Sequence, residues 1–237
     1  MSIFIPARAR CGACGTQVQT RLAASVNADR RPDLRAAILD CTFQSMACTG
    51  CGARVRLPAH LTYIDMARGQ WILVEDMTEI ERWREVEAEA ADLYSASFGA
   101  SATPLQRDMG RDLTPRLVFG WTALREKLIA GEAGMDDVAL ELMKISVLRN
   151  VPAPPFTGRS ELRLIDVAGT GITLRWIDGL TEEGIADLPM DREIYDDVEA
   201  DQASWGVLRE AIDTGLYVDM QRVLMGAAIQ AGTEVDA

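Results

Sequence analysis

The sequence predicts an α+β protein in two parts, and three observations carry that reading. Two Cys-x-x-Cys pairs, Cys11/Cys14 and Cys48/Cys51, each lie between strand-like segments. Period-two alternation marks Val18 to Val26 and Ile172 to Trp176, while a helical stripe runs through Val138, Leu142, Ile145 and Leu148. The charge also changes sign along the chain. Residues 1–75 carry 9 basic and 5 acidic side chains, residues 76–150 carry 9 and 14, and residues 151–237 carry 6 and 17.

The elements follow in order. Ser2 to Ala9 is a short strand leading into the first cysteine pair, and Val18 to Val26 is a half-buried strand leading away from it. Pro32 opens a short helix with Leu34 and Ile38 on one face. Thr42 to Ala47 delivers the second pair, and Val55 and Leu57 continue as a strand to Pro58. Leu61 to Asp65 and Gln70 to Glu75 form a hairpin turning at Arg68-Gly69. Thr78-Glu79-Ile80-Glu81 has the spacing of a capping box, and it predicts a helix whose Ile80, Trp83, Ala90 and Leu93 face a core. Small residues from Ser95 to Thr103, ending in Pro104, mark a boundary between a module over residues 1–100 and a unit over residues 104–237.

In that second unit, Arg116 to Gly120 reads as a strand, and Ala123–Ala130 and Asp136–Arg149 read as helices, the latter with Asp136 as its cap. Val151-Pro152-Ala153-Pro154-Pro155 is an extended connector, because proline cannot continue a helix. A hairpin pairs Leu162, Leu164 and Val167 with Ile172, Leu174 and Trp176 across Gly169-Thr170-Gly171. Residues 181–229 read as mostly helical.

Composition narrows the function classes. The chain has 237 residues, 48% hydrophobic and 25% charged, which is a globular composition and excludes disorder for most of its length. No apolar run reaches the roughly 20 residues of a membrane span. Apolar residues precede the first arginines at the N-terminus, the reverse of a signal peptide, so a cytoplasmic protein without membrane attachment is expected. The net charge of −12, concentrated in the C-terminal two-thirds, argues against a nucleic-acid footprint over the whole protein. Only Lys127 and Lys144 are lysine among 24 basic residues, a bias that reduces the mechanistic weight of any single arginine.

Cysteine arithmetic points to a metal. Five cysteines (Cys11, Cys14, Cys41, Cys48 and Cys51) make an odd count, which does not suit a disulfide framework. Two matched Cys-x-x-Cys turns supply four thiolates, the donor set of a closed tetrahedral zinc site. Gly15 and Gly52 follow the second cysteine of each pair, where positive φ lets the backbone fold back toward the sulfurs. The expected metal ligands are Cys11, Cys14, Cys48 and Cys51, and the expected cofactor is structural Zn2+ in a zinc-ribbon-like β module with a trailing helix. A redox dithiol is the competing reading, but such pairs usually occur singly at a helix start.

The same residues resemble a known family. The two knuckles, the strand Val18 to Val26, Asn27-Ala28-Asp29 before Pro32-Asp33-Leu34, and Leu61-Thr62-Tyr63-Ile64-Asp65-Met66 are similar to the CpXC domain of bacterial proteins over residues 3–75. Leu124-Arg125-Glu126-Lys127-Leu128, Met135-Asp136-Asp137 and Glu141-Leu142-Met143-Lys144 are similar to the segment C-terminal to the domain in longer members. Gly12 and Thr49 stand where the family usually has proline. Proline is not a ligand, so the donor set is intact. The resemblance implies a zinc-ribbon-like module and, by itself, no activity.

Other candidates read as structural. His60 is the only histidine and has no identifiable partner for acid–base work, so a surface or turn role is expected. Cys41 is expected as a small buried apolar side chain, Asp65 as a hydrogen-bonded turn residue, and Trp71 and Trp83 as core. The acidic stretch Asp191 to Asp201 lacks the spacing of a calcium loop and reads as a solvated helix face.

Three functional classes remain. The first is a non-enzymatic, zinc-stabilised module that binds a protein partner or a second copy through its N-terminal part. The second is a nucleic-acid-binding ribbon using Arg8, Arg10, Arg21, Arg30, Arg31, Arg54 and Arg56, which few aromatics accompany. The third is an enzyme of unrecognised type in the C-terminal unit, with no catalytic residue assignable.

Overall fold

A computed structural model describes residues 2–151 and 160–233, with the side chains of the last helix described to residue 226. The fold is α+β and divides into two compact units, Met1–Arg82 with Glu89–Leu124, and Trp83–Ala88 with Arg125–Ala237. No described helix is long and apolar enough to cross a membrane.

The first unit is built on a mixed five-stranded sheet. Its strands are β1 (Ile3–Arg10), β2 (Gln17–Asn27), β5 (Leu61–Asp65), β6 (Gln70–Glu75) and β7 (Thr114–Phe119), in the order β1-β2-β5-β6-β7. β1 and β2 form a long antiparallel ribbon from Ile3↔Ser25 to Arg10↔Gln17, whereas β5 meets β2 only at Ser25–Asn27. The remaining edge of β2 is closed in part by a side chain: the Gln44 carboxamide accepts from Ala23 N–H at 3.1 Å and donates to the Arg21 carbonyl at 3.3 Å, as a neighbouring strand would. Between β2 and β5 lie α1 (Pro32–Leu39) and a separate two-stranded ribbon, β3 (Ser45–Ala47) with β4 (Arg54–Arg56). β7 lies beyond Pro104 in sequence yet pairs in parallel with β6, so this sheet draws on chain from both sides of that proline. Val26, Leu61, Tyr63, Trp71, Val74 and Leu117 are buried on it.

Two local expectations change here. Thr78 does not cap a helix; its amide and hydroxyl both donate to Asp76, and Met77–Arg82 is a 3-10 turn preceding α2 (Trp83–Phe98). Trp83 and Ala90 are buried on α2 as expected, but Leu93 is 43% exposed. Ten residues at about 100° each place Leu93 about 80° around the helix from Trp83, at the margin of the buried stripe. The complete capping box is instead at α3 (Pro104–Gly110), where Thr103 and Gln106 exchange side-chain-to-backbone hydrogen bonds.

In the second unit, α4 (Gly120–Glu132, from Arg125 onward) and α5 (Asp137–Asn150) pack with an antiparallel sheet. Its strands are β8 (Ser160–Ala168), β9 (Gly171–Asp178) and β10 (Gly184–Asp191), in the order β10-β9-β8. Asp136 caps α5, accepting from Val138 N–H at 2.7 Å and Ala139 N–H at 3.0 Å. α5 is buried around most of its circumference rather than along one stripe. The expected hairpin forms between β8 and β9, turning at Gly169, where φ is +57°. The connector expected at 151–155 lies, beyond Val151, outside the described residues. The helical reading of 181–229 is corrected at β10, an edge strand. Leu188 and Met190 pack on the core two residues apart, a strand period, and Pro189 is tolerated because the strand is at the edge. Helices α6 (Glu193–Ala200), α7 (Gly206–Ile212) and α8 (Met220–Thr233) follow.

Candidate metal centre

Each cysteine pair forms the turn of one antiparallel ribbon, the first joining β1 to β2 and the second joining β3 to β4. The two turns repeat one pattern. Cys11 N–H donates to Thr16 O at 2.9 Å and Gly15 N–H to Cys11 O at 2.8 Å; Cys48 N–H donates to Ala53 O at 2.7 Å and Gly52 N–H to Cys48 O at 2.8 Å. Gly15 and Gly52 sit at φ +74° and +73°, the left-handed conformation the fold-back needs. Gly50 is required for a different reason: a Cβ there would lie 2.5 Å from the Thr16 hydroxyl of the other turn.

The four sulfurs converge. All lie within 4.8 Å of one another, with Cys11 and Cys51 3.7 Å apart and Cys14 and Cys48 3.6 Å apart. One cysteine of each turn is buried, Cys11 and Cys48, and one is exposed, Cys14 and Cys51. The apolar support is small, with Val18 and Val55 the other buried members of the cluster.

The electrostatics of the group favour a cation. The Thr16 hydroxyl, then its amide, bring Cys14 down to about 6. The Gly50 and Cys51 amides lower Cys48, and Gly50 N–H lies 3.3 Å from its sulfur. The Ala53 amide pulls Cys51 downward, but Cys14 and Cys11 beside it prevail and push it up to about 12. Adjacent thiols cannot all ionise without a counter-charge, and a divalent cation removes that conflict. The four cysteines could therefore hold a metal ion.

The family model described as CpXC protein matches residues 9–144, more than half of the chain. The chain belongs to the CpXC family. This CpXC chain is also similar to an uncharacterized protein of Treponema pallidum (strain Nichols), 25% identical over 208 residues, which cover 85% of this chain and 91% of that protein. No solved structure matches it.

Cys41 lies outside the metal cluster and is half-buried rather than enclosed, with φ +57°. His60 is exposed, its Nδ1 2.6 Å from Glu75 Oε2. Asp65 is the expected turn residue, accepting from Arg68 N–H at 3.1 Å, and it is fully buried, with the Tyr63 hydroxyl at 3.3 Å and Arg35 Nε at 3.7 Å. Trp71 and Trp83 are core. The acidic stretch forms α6 with Tyr195 and Val198 buried and most carboxylates in water.

A second assembly escaped sequence reasoning. Seven charged side chains of the second unit are buried together: Glu126, Lys127, Glu141, Lys144, Glu161, Arg163 and Asp219. Lys144 Nζ lies 2.7 Å from Glu126 Oε1 and 2.9 Å from Glu141 Oε1. Arg163 Nη1 reaches Glu126 Oε1 at 3.1 Å and Asp219 Oδ2 at 2.6 Å, while its Nε donates to Glu161 Oε2 at 2.8 Å. Lys127 donates to Asp137 Oδ2 at 3.0 Å and to the Val218 carbonyl at 2.7 Å. Two signals were available: the family resemblance over Leu124–Leu128 and Glu141–Lys144, and composition, because both lysines of an arginine-rich chain are here.

Proposed function

We propose that Cys11, Cys14, Cys48 and Cys51 of this CpXC protein hold one structural zinc ion, and that the protein is a non-enzymatic module docking another protein chain through its β1–β2 ribbon. The observation that carries the zinc reading is the sulfur spacing. A zinc ion about 2.3 Å from each of four tetrahedral sulfurs sets them roughly 3.8 Å apart, against 3.7 Å for Cys11–Cys51 and 3.6 Å for Cys14–Cys48, with all four sulfurs within 4.8 Å of one another. Four thiolates complete the coordination, which leaves no position for an activated water; the metal supplies folding energy to two turns with little apolar support.

The docking reading is supported by β1, which is the terminal strand of its sheet, with Ile3 48% and Ile5 46% exposed and Leu22 opposite Ile5. Pro6, Arg8 and Arg10 on the same strand discourage indiscriminate pairing. The nucleic-acid alternative is weaker because several arginines it needs are engaged at home. Arg21 donates to Phe4 O at 3.2 Å, and Arg54 to Ser45 Oγ at 2.6 Å.

Native mass spectrometry of the full chain tests the metal, with one zinc per chain expected and a zinc-free folded protein overturning the reading. Sedimentation across protein concentration, with and without Ile3→Ser/Ile5→Ser, tests self-docking. Salt-sensitive binding to oligonucleotides instead would favour the arginine ribbon.

A further inference from the structure

Two sulfur contacts bridge the cysteine turns. Cys14 Sγ lies 3.6 Å from Cys48 Sγ, and Cys11 Sγ lies 3.7 Å from Cys51 Sγ. Each contact joins one exposed cysteine, Cys14 or Cys51, to one buried cysteine, Cys48 or Cys11. The turns also meet away from the sulfurs, where Gly50 makes room for the Thr16 side chain. A disulfide holds its sulfurs about 2.05 Å apart, so each pair has to close by about 1.6 Å. The contacts that suit a bound metal are therefore also contacts from which covalent links can form.

On the basis of the zinc reading, we propose that this centre is a redox-exchangeable staple: a peroxide converts its four thiolates to two disulfides, Cys14–Cys48 and Cys11–Cys51, so that the metal is released while the two turns stay joined. The exposed sulfur of each pair is the one a small oxidant reaches. That sulfur attacks one peroxide oxygen, the O–O bond breaks, hydroxide leaves, and a sulfenic acid forms. The buried thiolate beside it then attacks the oxidised sulfur, the S–O bond breaks, and a second hydroxide leaves as the disulfide forms. Each disulfide passes two electrons to one peroxide, so two peroxides oxidise all four thiolates and yield four hydroxides. Thiolate is the form of cysteine that binds a metal, and the oxidised centre has none left. The β1–β2 ribbon, first tied to the β3–β4 ribbon by coordination, is then tied to it covalently. Cys41 lies outside the cluster and takes no part.

Zinc release and disulfide mapping on the full-length protein test the exchange. Cleavage after arginine puts the turns on separate peptides, Cys11–Arg21 and Ala36–Arg54, so a disulfide across the turns links them and one within a turn does not. Cys41→Ser, treated in parallel, removes the remaining cysteine of the second peptide; should that variant fail to fold, fragmentation of the linked wild-type peptides locates each bond. Hydrogen peroxide at two per chain, quenched in acid, should release the bound zinc to a chromophoric chelator and leave the peptides joined as Cys14–Cys48 and Cys11–Cys51. Amide protection in β3 and β4 should persist in the oxidised protein, whereas stripping the reduced protein with chelator should lower it by more than about tenfold, because the metal supplies folding energy there. A protein isolated without zinc overturns the zinc reading and the exchange together. A zinc-bound protein that keeps its metal under peroxide, forms any other cysteine pairing, or loses β3–β4 protection on oxidation overturns the exchange alone.

Discussion

In the first unit four thiols gather at the tips of two ribbons, two of them exposed, with Val18 and Val55 as their buried apolar company. In the second unit seven charged side chains gather in the interior, and the same unit holds an apolar core that includes Leu140, Leu142, Leu162, Leu164, Leu174 and Trp176. The thiol site is built from two short turns and is short of burial, and its four sulfurs could hold a metal ion. The ionic site is assembled from distant segments and surrounded by burial; it draws on the core's stability and in return fixes which partner each charge faces. Two groupings of ionisable side chains thus differ in their support: the thiols could be held by a metal ion, and the charges are enclosed by packing.

That contrast can be broken at four points, taken from the largest expected effect. Cys48→Ser removes a buried thiol from the proposed zinc site, and a structural zinc contributes on the order of 10–16 kcal/mol to folding. Loss of zinc and of hydrogen-exchange protection across β1–β4 is expected, and a variant that keeps both would remove the metal from its structural role. Lys144→Met leaves Glu126 and Glu141 without their shared cation and should destabilise the second unit by about 3–5 kcal/mol, read as a lower denaturation midpoint that chelator does not alter. Asp136→Ala deletes the α5 cap and should cost about 1 kcal/mol; a change of several kcal/mol would mean that Asp136 does more than cap. The exposed Arg175–Asp187 pair serves as the control, because substituting Arg175→Ala should shift stability by no more than about 1 kcal/mol.

How much of this was legible follows the range of each interaction. The clustering of Cys11, Cys14, Cys48 and Cys51 could be read because a Cys-x-x-Cys turn and its trailing glycine are one local unit, repeated. The Asp136 cap and the Gly169 turn were legible for the same reason. Thr103-Pro104-Leu105-Gln106 carried a readable capping box that the neighbouring small residues obscured. Glu126, Lys127, Glu141 and Lys144 gave no such signal, because charges on a helix ordinarily face water. Glu161 and Arg163 were equally opaque: β8 is buried on both faces, so Leu162 and Leu164 point to an apolar side while the charges point to the cluster.

The sequence by itself determined the turns, the caps, the alternating strands and the four sulfur donors, since backbone geometry and hydrogen bonds within a few residues decide them. Only the tertiary structure decided that β7 joins β6, that the Gln44 side chain closes part of the β2 edge, and that Lys127 and Lys144 lie inside. The physical reason is desolvation. Its cost belongs to a place in the fold rather than to a residue type, and that place exists only once distant segments have come together.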